Sequence, residues 1–595
     1  MKAGGVLTSR FSRKLDILAP TGDSAGSACR HVLAGGGLTM PTATGVLVAA
    51  LVASFLTAGI MTVLALPGAA LPVVLALVLL AVCWCLKGIA ADWRQPPLER
   101  HEQALIAFAT VVGLLRLAPY AYQYAAGVLV APVTWDDNWH FQELASLVNA
   151  ESFPPRLNFQ PSAYFHFYYV PWLPAAAISS LALTLTGLPM IKLGYALGAL
   201  GLALGIAWSL IVVLRHFCPP PARIWAIGAL IVSGAAIDGL FAIRHLLAMG
   251  HPFHSEWWQL GLQVRNSFSA LSTALIWVPH HLTGAMAMLL AVVVATKPVT
   301  LEPREGRAPY IIAGMLIATA AFSSAFAFAG GVIALSPLLW ELLGRNTRER
   351  LVWLVASAAL PALPLAYIYL GADARGGFVI GQAFSSWATL SGSPAMGFAG
   401  IVIAFVLMML EVGWLYVIGR GLDTDTPGAA RLRKLAATSA LVLASTAVIG
   451  FTGSNNWALR ATIVPVVLLA AYAGIGLAAP LGETRLDRGI VVKAGAVALG
   501  LALVAHLNEV GLLVGRSVQA PAYATETAEC KAAILATNRE PAARITLPGM
   551  MTCKDKYSAY HIERRFDKAA IAPEDRELMG RGFGFLASSG NPTPH

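Results

Sequence analysis

The segment Trp135-Asp136-Asp137-Asn138-Trp139-His140 lies in a polar loop between long apolar runs at 104–130 and 167–187. Two adjacent carboxylates and a histidine are unusual beside hydrocarbon, because charge near a bilayer costs free energy unless it has a partner or a function. The runs on either side are about 20 residues of continuous apolarity, which is the length that crosses a bilayer as a helix. The segment therefore predicts a polar loop that joins two membrane helices.

The composition extends this interpretation to the whole chain. The protein has 595 residues, of which 57% are hydrophobic and 12% are charged, whereas soluble domains carry about 25% charged residues. Spanning segments must be helices or closed barrels, because lipid offers no partner to backbone polar groups. The runs lack the alternation of a barrel strand. We expect an all-α polytopic membrane protein with about 13 or 14 transmembrane helices.

Basic residues predict the topology, because Lys and Arg collect in cytoplasmic loops. By this rule the loops 131–166 and 245–271 are both external, yet three apolar runs lie between them. One run must be short, re-entrant or parallel to the interface, and the segment Ser233–Gly239 is the suspected break. The apolar runs lie near 44–66, 70–91, 104–130, 167–187, 190–214, 222–244, 272–296, 308–324, 326–343, 351–371, 398–419, 434–452, 460–480 and 489–512.

Three regions follow from this topology. Residues 1–40 are expected to form a cytoplasmic arm, and residues 41–512 the transmembrane domain with its external loop 131–166. Residues 513–595 are charged and contain several prolines, which predicts a small external α+β domain or a partly disordered tail. Cys530 and Cys553 in that tail are left open as a disulfide, because the sequence does not give the distance between their sulfurs. The expected location is a bacterial inner membrane, with the site facing the periplasm or the exterior.

The net charge of +10 has a topological explanation. The basic residues fall in the predicted cytoplasmic loops. No groove of interleaved basic and aromatic residues is present in the sequence, so nucleic acid is excluded as a partner.

Several polar segments share the predicted external side. Residues 139–149 have apolar positions at helical spacing, which suits a helix lying along the membrane surface. In Trp277–His281 a proline interrupts an apolar run, and polar backbone at that depth is tolerated only beside a cavity. The candidate binding residues in these segments are His140, His166, Tyr168, Glu256, Arg265, His280, His281, Asn455, Asn456 and Arg460.

Each segment also has a simpler explanation. Tyr168, Tyr169 and Trp172 can belong to the aromatic belt of any membrane protein. His280 and His281 can bond to backbone carbonyls that Pro279 leaves open, and Arg460 can anchor the end of a helix. The convergence of all of them on one side favours a site.

The residue types predict chemistry on a phosphate-linked substrate. Asp136 or Asp137 can remove the proton of an acceptor hydroxyl, and Asp137 is favoured because a helix from that point puts it on one face with His140. Arginine and histidine can neutralise the charge of a phosphate leaving group. A divalent metal, Mg²⁺ or Mn²⁺, held by Asp136 and Asp137 is left open, since the spacing matches no metal signature.

These features resemble the GT-C superfamily of integral membrane glycosyltransferases. The likeness rests on the many helices, the acidic pair Asp136–Asp137 in a first large external loop, and an external C-terminal domain. It implies a sugar donor linked to polyprenyl phosphate, a first-loop acid as base, sometimes with a metal, and donor-phosphate contacts by Arg460 and His280 or His281. The acceptor would be a cell-envelope glycan, lipid or protein. The chain lacks a Trp-Trp-Asp motif of the oligosaccharyltransferase kind, which argues against transfer to asparagine.

Two other functions compete with this one. A transporter or flippase of a lipid-linked or anionic substrate would also need a polar cavity among helices, but it predicts charges near the bilayer midplane and internal repeats. A glycan ligase or polymerase would be expected to carry its large external loop late in the chain.

Overall fold

A computed structural model describes residues 42–90, 95–126, 133–157, 160–164, 169–187, 190–250, 252, 268–296, 307–343, 347–371, 378–380, 385, 388–389, 392–421, 427–451, 457–478 and 488–519. Helices dominate this part of the chain, which confirms the predicted all-α class. The described strands form two antiparallel ribbons, Arg156–Leu157 with Gln160–Tyr164 and Phe378–Ile380 with Ile449–Phe451.

Each apolar run of the sequence contains at least one helix, and the run at 434–452 ends in the strand Ile449–Phe451. In chain order the α-helices are α1 Ala43–Val63, α2 Leu71–Ala90, α3 Arg100–Ala126, α4 Trp135–Val148, α5 Leu173–Thr186, α6 Ile191–Phe217, α7 Pro220–Val232, α8 Ala236–Met249, α9 Leu271–Trp277, α10 Pro279–Thr296, α11 Ala308–Ser323, α12 Ala325–Leu343, α13 Thr347–Gly371, α14 Pro394–Met408, α15 Trp414–Gly421, α16 Pro427–Ser445, α17 Ile463–Ala478 and α18 Arg488–Gln519.

Fewer of these helices reach membrane-spanning length than the sequence suggested. Within the described residues, eight helical segments are long and apolar enough to cross a membrane, and the bent pair α7–α8 raises this to nine. Four further apolar helices are only 10–17 residues long. The prediction of about 13 or 14 transmembrane helices is therefore confirmed only in part, by the eight or nine described segments that are long and apolar enough to cross a membrane.

The predicted break near Ser233–Gly239 is present. Helices α7 and α8 meet there at 44°, and Gly234 adopts a left-handed φ of 68°, which a residue with a Cβ rarely adopts. A second break separates α9 from α10 at Val278, just before Pro279. Two π-helical turns, Met409–Gly413 and Trp457–Ala461, interrupt further runs, and such turns often occur at functional sites.

Helix α10 forms the centre of the described fold. It packs against α11 and α6, and 94% of its 18-residue apolar stretch is buried. Its first turn carries His280 and His281, so the break at Val278 brings both imidazoles into the protein interior.

The structure describes the ends of the predicted domains only in part. The final helix α18 continues to Gln519, beyond the boundary placed at residue 512. The cytoplasmic arm 1–40, the remainder of the predicted C-terminal domain, and the pair Cys530–Cys553 lie outside the described residues.

The helix predicted to lie along the membrane surface is instead buried. Helix α4 exists, but every one of its side chains that the structure describes is buried, and it packs against α5 and α6. Its Asp137 carboxylate bonds to side chains on two other helices rather than to solvent.

The aromatic residues next along the chain are buried as well. Tyr169 is 1% and Trp172 is 0% exposed, so neither belongs to a lipid-facing aromatic belt.

Candidate functional site

The carboxylate of Asp137 is fully buried and is surrounded by hydrogen-bond donors. It is the third residue of α4, and Thr134 caps this helix in a capping-box arrangement. Asp137 Oδ2 accepts from the Tyr120 hydroxyl at 2.6 Å and from the Thr134 backbone N–H at 3.0 Å. Asp137 Oδ1 accepts from the Thr134 hydroxyl at 2.5 Å and the Tyr195 hydroxyl at 3.0 Å. The Arg116 guanidinium completes the set at 2.9 Å from Oδ1.

Five donors on two oxygens use the acceptor capacity of a carboxylate, which is about four lone-pair positions. Because the side chain is also 0% exposed, it has no open position toward an acceptor hydroxyl in this conformation. The geometry therefore suits Asp137 for holding the start of α4 in place.

Arg116 connects this carboxylate to two other elements. It lies on α3 and is 3% exposed. Its Nη2 donates to the Thr134 hydroxyl at 3.1 Å and also to the backbone carbonyl of Ile276 on α9. One guanidinium thus joins α3, the start of α4 and the end of α9. We call the group Arg116, Tyr120, Thr134, Asp137 and Tyr195 the carboxylate hub.

Tyr195 on α6 joins the hub to a cluster of imidazoles. Its hydroxyl donates to Asp137, and its ring stacks on the His140 ring with centroids 5.4 Å apart. His140 Nδ1 lies 2.7 Å from Glu143 Oε2. The His140 ring also lies 5.1 Å from that of His280, which lies 3.9 Å from that of His281.

Arg460 is the further cation beside these imidazoles. It lies in the π-helical turn Trp457–Ala461 that precedes α17, and its charge acts on both His280 and His281. The structure thus brings together five of the residues predicted from sequence: Asp137, His140, His280, His281 and Arg460.

The other predicted residues divide into two groups. The backbone of Asp136 is described as the second residue of α4, but its side chain lies outside the described part. The remaining predictions also fall outside the described residues: His166, Tyr168, Glu256, Arg265, Asn455 and Asn456.

Asp137 does not fit a divalent metal, because a guanidinium and four other protein donors already occupy its oxygens. Among the described residues, Glu99, His101 and Glu102 offer three ligand atoms within 4.8 Å of one another. Arg223 lies 2.9 Å from Glu99, and Arg215 pairs with Glu102. This second group is therefore an ion-pair network that fixes the loop before α3.

The residues that sequence reasoning missed are the partners of Asp137. Arg116 carried a usable signal, because it is the only charged residue in its apolar run, and an ionisable residue inside a membrane segment marks a functional or paired position. Lys192 is likewise the only charged residue in the apolar run at 190–214. It is fully buried and donates to Gln123 at 2.9 Å. Tyr120 and Tyr195 carried no such signal.

The backbones of Gly330 and Ala461 are in close contact, which holds the turn that contains Arg460. We predict that position 330 tolerates no side chain. A Cβ on Gly330 of α12 would stand 1.9 Å from the carbonyl oxygen of Ala461. Gly330→Ala should separate the two backbones and lower the free energy of unfolding by roughly 1–3 kcal/mol. Thermal unfolding in detergent measures this.

Gly201→Ala is the matched control, because a Cβ at Gly201 of α6 meets nothing within 4 Å. It should leave stability unchanged or slightly raised, since alanine favours helix. Equal unfolding temperatures for the two variants would contradict the proposed contact.

Comparison with solved structures gives weak likenesses. The archaeal oligosaccharyltransferase AglB from Archaeoglobus fulgidus, in complex with an inhibitory peptide and a dolichol-phosphate, has a TM-score of 0.30 at 14% identity and covers 77% of this chain. The Archaeoglobus fulgidus oligosaccharyltransferase in the apo form has a TM-score of 0.32 at 14% identity, and the enzyme tethered to an acceptor peptide has 0.30 at 15%. Each of these two also covers 77% of this chain.

The chain spans 59% of the length of each of these proteins. At such TM-scores the likeness transfers no residue role and no substrate. No protein-family model matches the sequence, and no curated protein has a sequence that matches it.

Proposed function

We propose that the protein is a membrane glycosyltransferase, which transfers a sugar from a polyprenyl-phosphate-linked donor to a cell-envelope glycan, lipid or protein. The transfer takes place on the non-cytoplasmic side of a bacterial inner membrane. One observation carries the proposal: a buried carboxylate–arginine pair adjoins an imidazole cluster and Arg460, among helices that are mostly apolar in the described part of the chain. Such arrangements are costly in a membrane protein unless they serve a site.

The proposed step is a displacement at the anomeric carbon of the donor sugar. The acceptor oxygen forms a bond to that carbon, while the bond from the carbon to the phosphate oxygen breaks and the phosphate leaves with the electron pair. The acceptor proton passes to a carboxylate oxygen, which acts as general base. Arg460 and the neighbouring imidazoles would stabilise the phosphate as its charge grows.

Asp136 is the better candidate for this base. It is adjacent to Asp137 in the first turn of α4, so the hub that fixes Asp137 also fixes the backbone of Asp136. Neighbouring residues on a helix point in different directions, which lets one acid hold the helix while the other faces the substrate. Asp137 is then a positioning residue.

Arg460→Ala should weaken donor binding more than it lowers turnover. Loss of a hydrogen bond to a charged group costs about 1.5–3 kcal/mol, which corresponds to an apparent donor affinity roughly ten- to a hundredfold weaker. Initial rates across a range of donor concentrations measure the effect. An unchanged dependence on donor concentration would remove Arg460 from the site.

A transporter or flippase is the second candidate, and two buried carboxyl groups favour it. Asp238 follows the break between α7 and α8, and Glu411 lies in the π-helical turn Met409–Gly413. The two elements meet where the Gly234 N–H donates to the Glu411 carbonyl at 3.2 Å. Ionisable groups at interrupted membrane helices are typical of ion and substrate pathways.

One experiment separates the two functions. The purified protein is placed in sealed vesicles that contain a polyprenyl-phosphate sugar labelled in the sugar and extracts of candidate acceptors. A transferase yields label in a new glycosidic product, and Asp136→Asn yields none. Movement of the labelled lipid across the bilayer without any new product would establish the transporter instead. In cells, loss of the gene should leave unused lipid-linked sugar and change the surface glycans.

A further inference from the structure

Arg516 lies at the end of α18 and faces the same site from an element that the proposed mechanism does not use. It belongs to the last turn of the helix, at the end that the topology places outside. Its charge acts on Asp137 and on Glu509. Its contact with Trp277, the neighbour of the Ile276 residue that Arg116 bonds to, places Arg516 next to the carboxylate hub.

The side chain of Arg516 is held by an aromatic ring. Its guanidinium carbon lies 5.5 Å from the centroid of the Trp277 ring, which is a cation–π distance. The Trp277 indole N–H donates to Glu509 Oε2 at 3.2 Å, so the ring is fixed from the same helix. Glu509 and Arg516 are two turns apart on α18, and Trp277 spans the interval between them.

Trp277 also stands at the break that leads into the imidazole cluster. It is the last residue of α9, and His280 and His281 follow it across Val278 and Pro279. The neighbouring carbonyl of Ile276 accepts from Arg116. The ring that holds Arg516 is therefore attached on one side to the hub and on the other to the histidines.

Among the described residues, the N–H groups of Arg516 remain available to a ligand. Within the described part of the chain, no carboxylate forms an ion pair with it, and the ring of Trp277 occupies only the face of the guanidinium. A planar guanidinium keeps its N–H groups at its edge, where they match two oxygens of a phosphate. Arg460 approaches the histidines from the π-helical turn before α17, so the two arginines come from different helices.

We infer that Arg516 is a second phosphate-binding residue of this site, which binds the phosphate of a lipid-linked donor together with Arg460. The inference rests on the proposed function for the identity of the donor. It assigns to the last described helix a direct contact with substrate. Trp277 is then a positioning residue, because it fixes the plane of the guanidinium.

A simpler explanation assigns Arg516 a purely structural role. A cation in the last turn of a helix interacts favourably with the helix dipole, and a long basic side chain can anchor a helix end at the interface. That role predicts a change in stability and no preference for phosphate over a neutral lipid. The two explanations therefore differ in a binding measurement.

The test uses the purified full chain in nanodiscs and two probes: a short-chain polyprenyl monophosphate, and the polyprenol of equal length. We expect Arg516→Gln to weaken monophosphate binding by about ten- to a hundredfold and to leave polyprenol binding unchanged. Arg516→Lys should fall between Arg516→Gln and the wild type, because it keeps the charge and loses the planar pair of donors.

Arg350→Gln is the matched control. Its guanidinium lies 5.2 Å from the Tyr310 ring in a similar cation–π contact, on the side that the topology makes cytoplasmic. It should bind both probes like the wild type. If Arg516→Gln does not fold, the inference is tested by comparing monophosphate binding of Arg516→Lys with that of the wild type. The salt dependence of this binding is measured for both proteins.

The outcomes separate this inference from the proposed function. Wild-type affinity in Arg516→Gln, or equal losses for both probes, would overturn the role of Arg516 even if sugar transfer is observed. A protein that binds no monophosphate would overturn it too. Selective loss of monophosphate binding would support it even if no sugar product forms, since the probe carries no sugar.

Discussion

Asp137→Asn is expected to destabilise the protein and to abolish sugar transfer in the same variant. Asparagine keeps the shape of the side chain but not its charge, so the buried Arg116 would lose the carboxylate that lies 2.9 Å from it. Breaking a buried ion pair in this way costs roughly 3–5 kcal/mol. In one of its two orientations, the new amide would also point its NH₂ group at the Tyr120 hydroxyl and the Thr134 N–H, which donate to Asp137 in the wild type. Thermal unfolding in detergent and transfer from a labelled donor measure the two effects.

Removal of both charges provides the control for this prediction. Arg116→Met combined with Asp137→Asn should recover part of the stability that either single variant loses, because no unpaired charge remains. The double variant should still lack activity, since the start of α4 is no longer fixed. If Asp137→Asn unfolded like the wild type and transferred no sugar, Asp137 would itself be the base and our division of roles would be wrong.

Asp136→Asn is expected to have the complementary effect, in which activity is lost and stability is kept. Loss of a general base lowers the rate of the chemical step by about 10²- to 10⁴-fold. None of the five donors to Asp137 comes from Asp136, so we expect Asp136→Asn to leave the carboxylate hub and the unfolding temperature unchanged. Single-turnover measurements at saturating donor report the chemical step directly.

Asp136→Glu serves as the matched variant, because it keeps a carboxylate at a slightly different reach. It should retain part of the rate, and its pH dependence should follow that of the wild type. Full turnover by Asp136→Asn would show that the base lies elsewhere and would remove the first loop from the chemistry.

The helices could be predicted from sequence because their cause is local. A run of about 20 apolar residues becomes helical in lipid whatever it later contacts. The breaks at Gly234 and Pro279 were visible for the same reason, since glycine and proline act on their own backbone. The number of full spans was not predictable, because the length that survives each break depends on packing.

The site was only half predictable. Asp137, His140 and the two histidines were found because polar residues are conspicuous among apolar ones. The surface position assigned to α4 was wrong, because periodicity shows which residues share a face but not what that face meets. The bond from Arg116 to Ile276 joins residues 160 positions apart, and no local pattern carries such information.

The bond between Arg116 and Ile276 has a consequence for the order in which the protein is made. Arg116 enters the membrane with α3, and a bare arginine at the centre of a helix costs about 2.5–3.5 kcal/mol on insertion. Its counter-ion Asp137 leaves the ribosome soon afterwards, but the carbonyl of Ile276 follows 160 residues later. Nascent chains that end before residue 276 therefore hold α3 and α4 without the contact that secures them. The site is complete only late in synthesis, when α9 has been made and packs against α3.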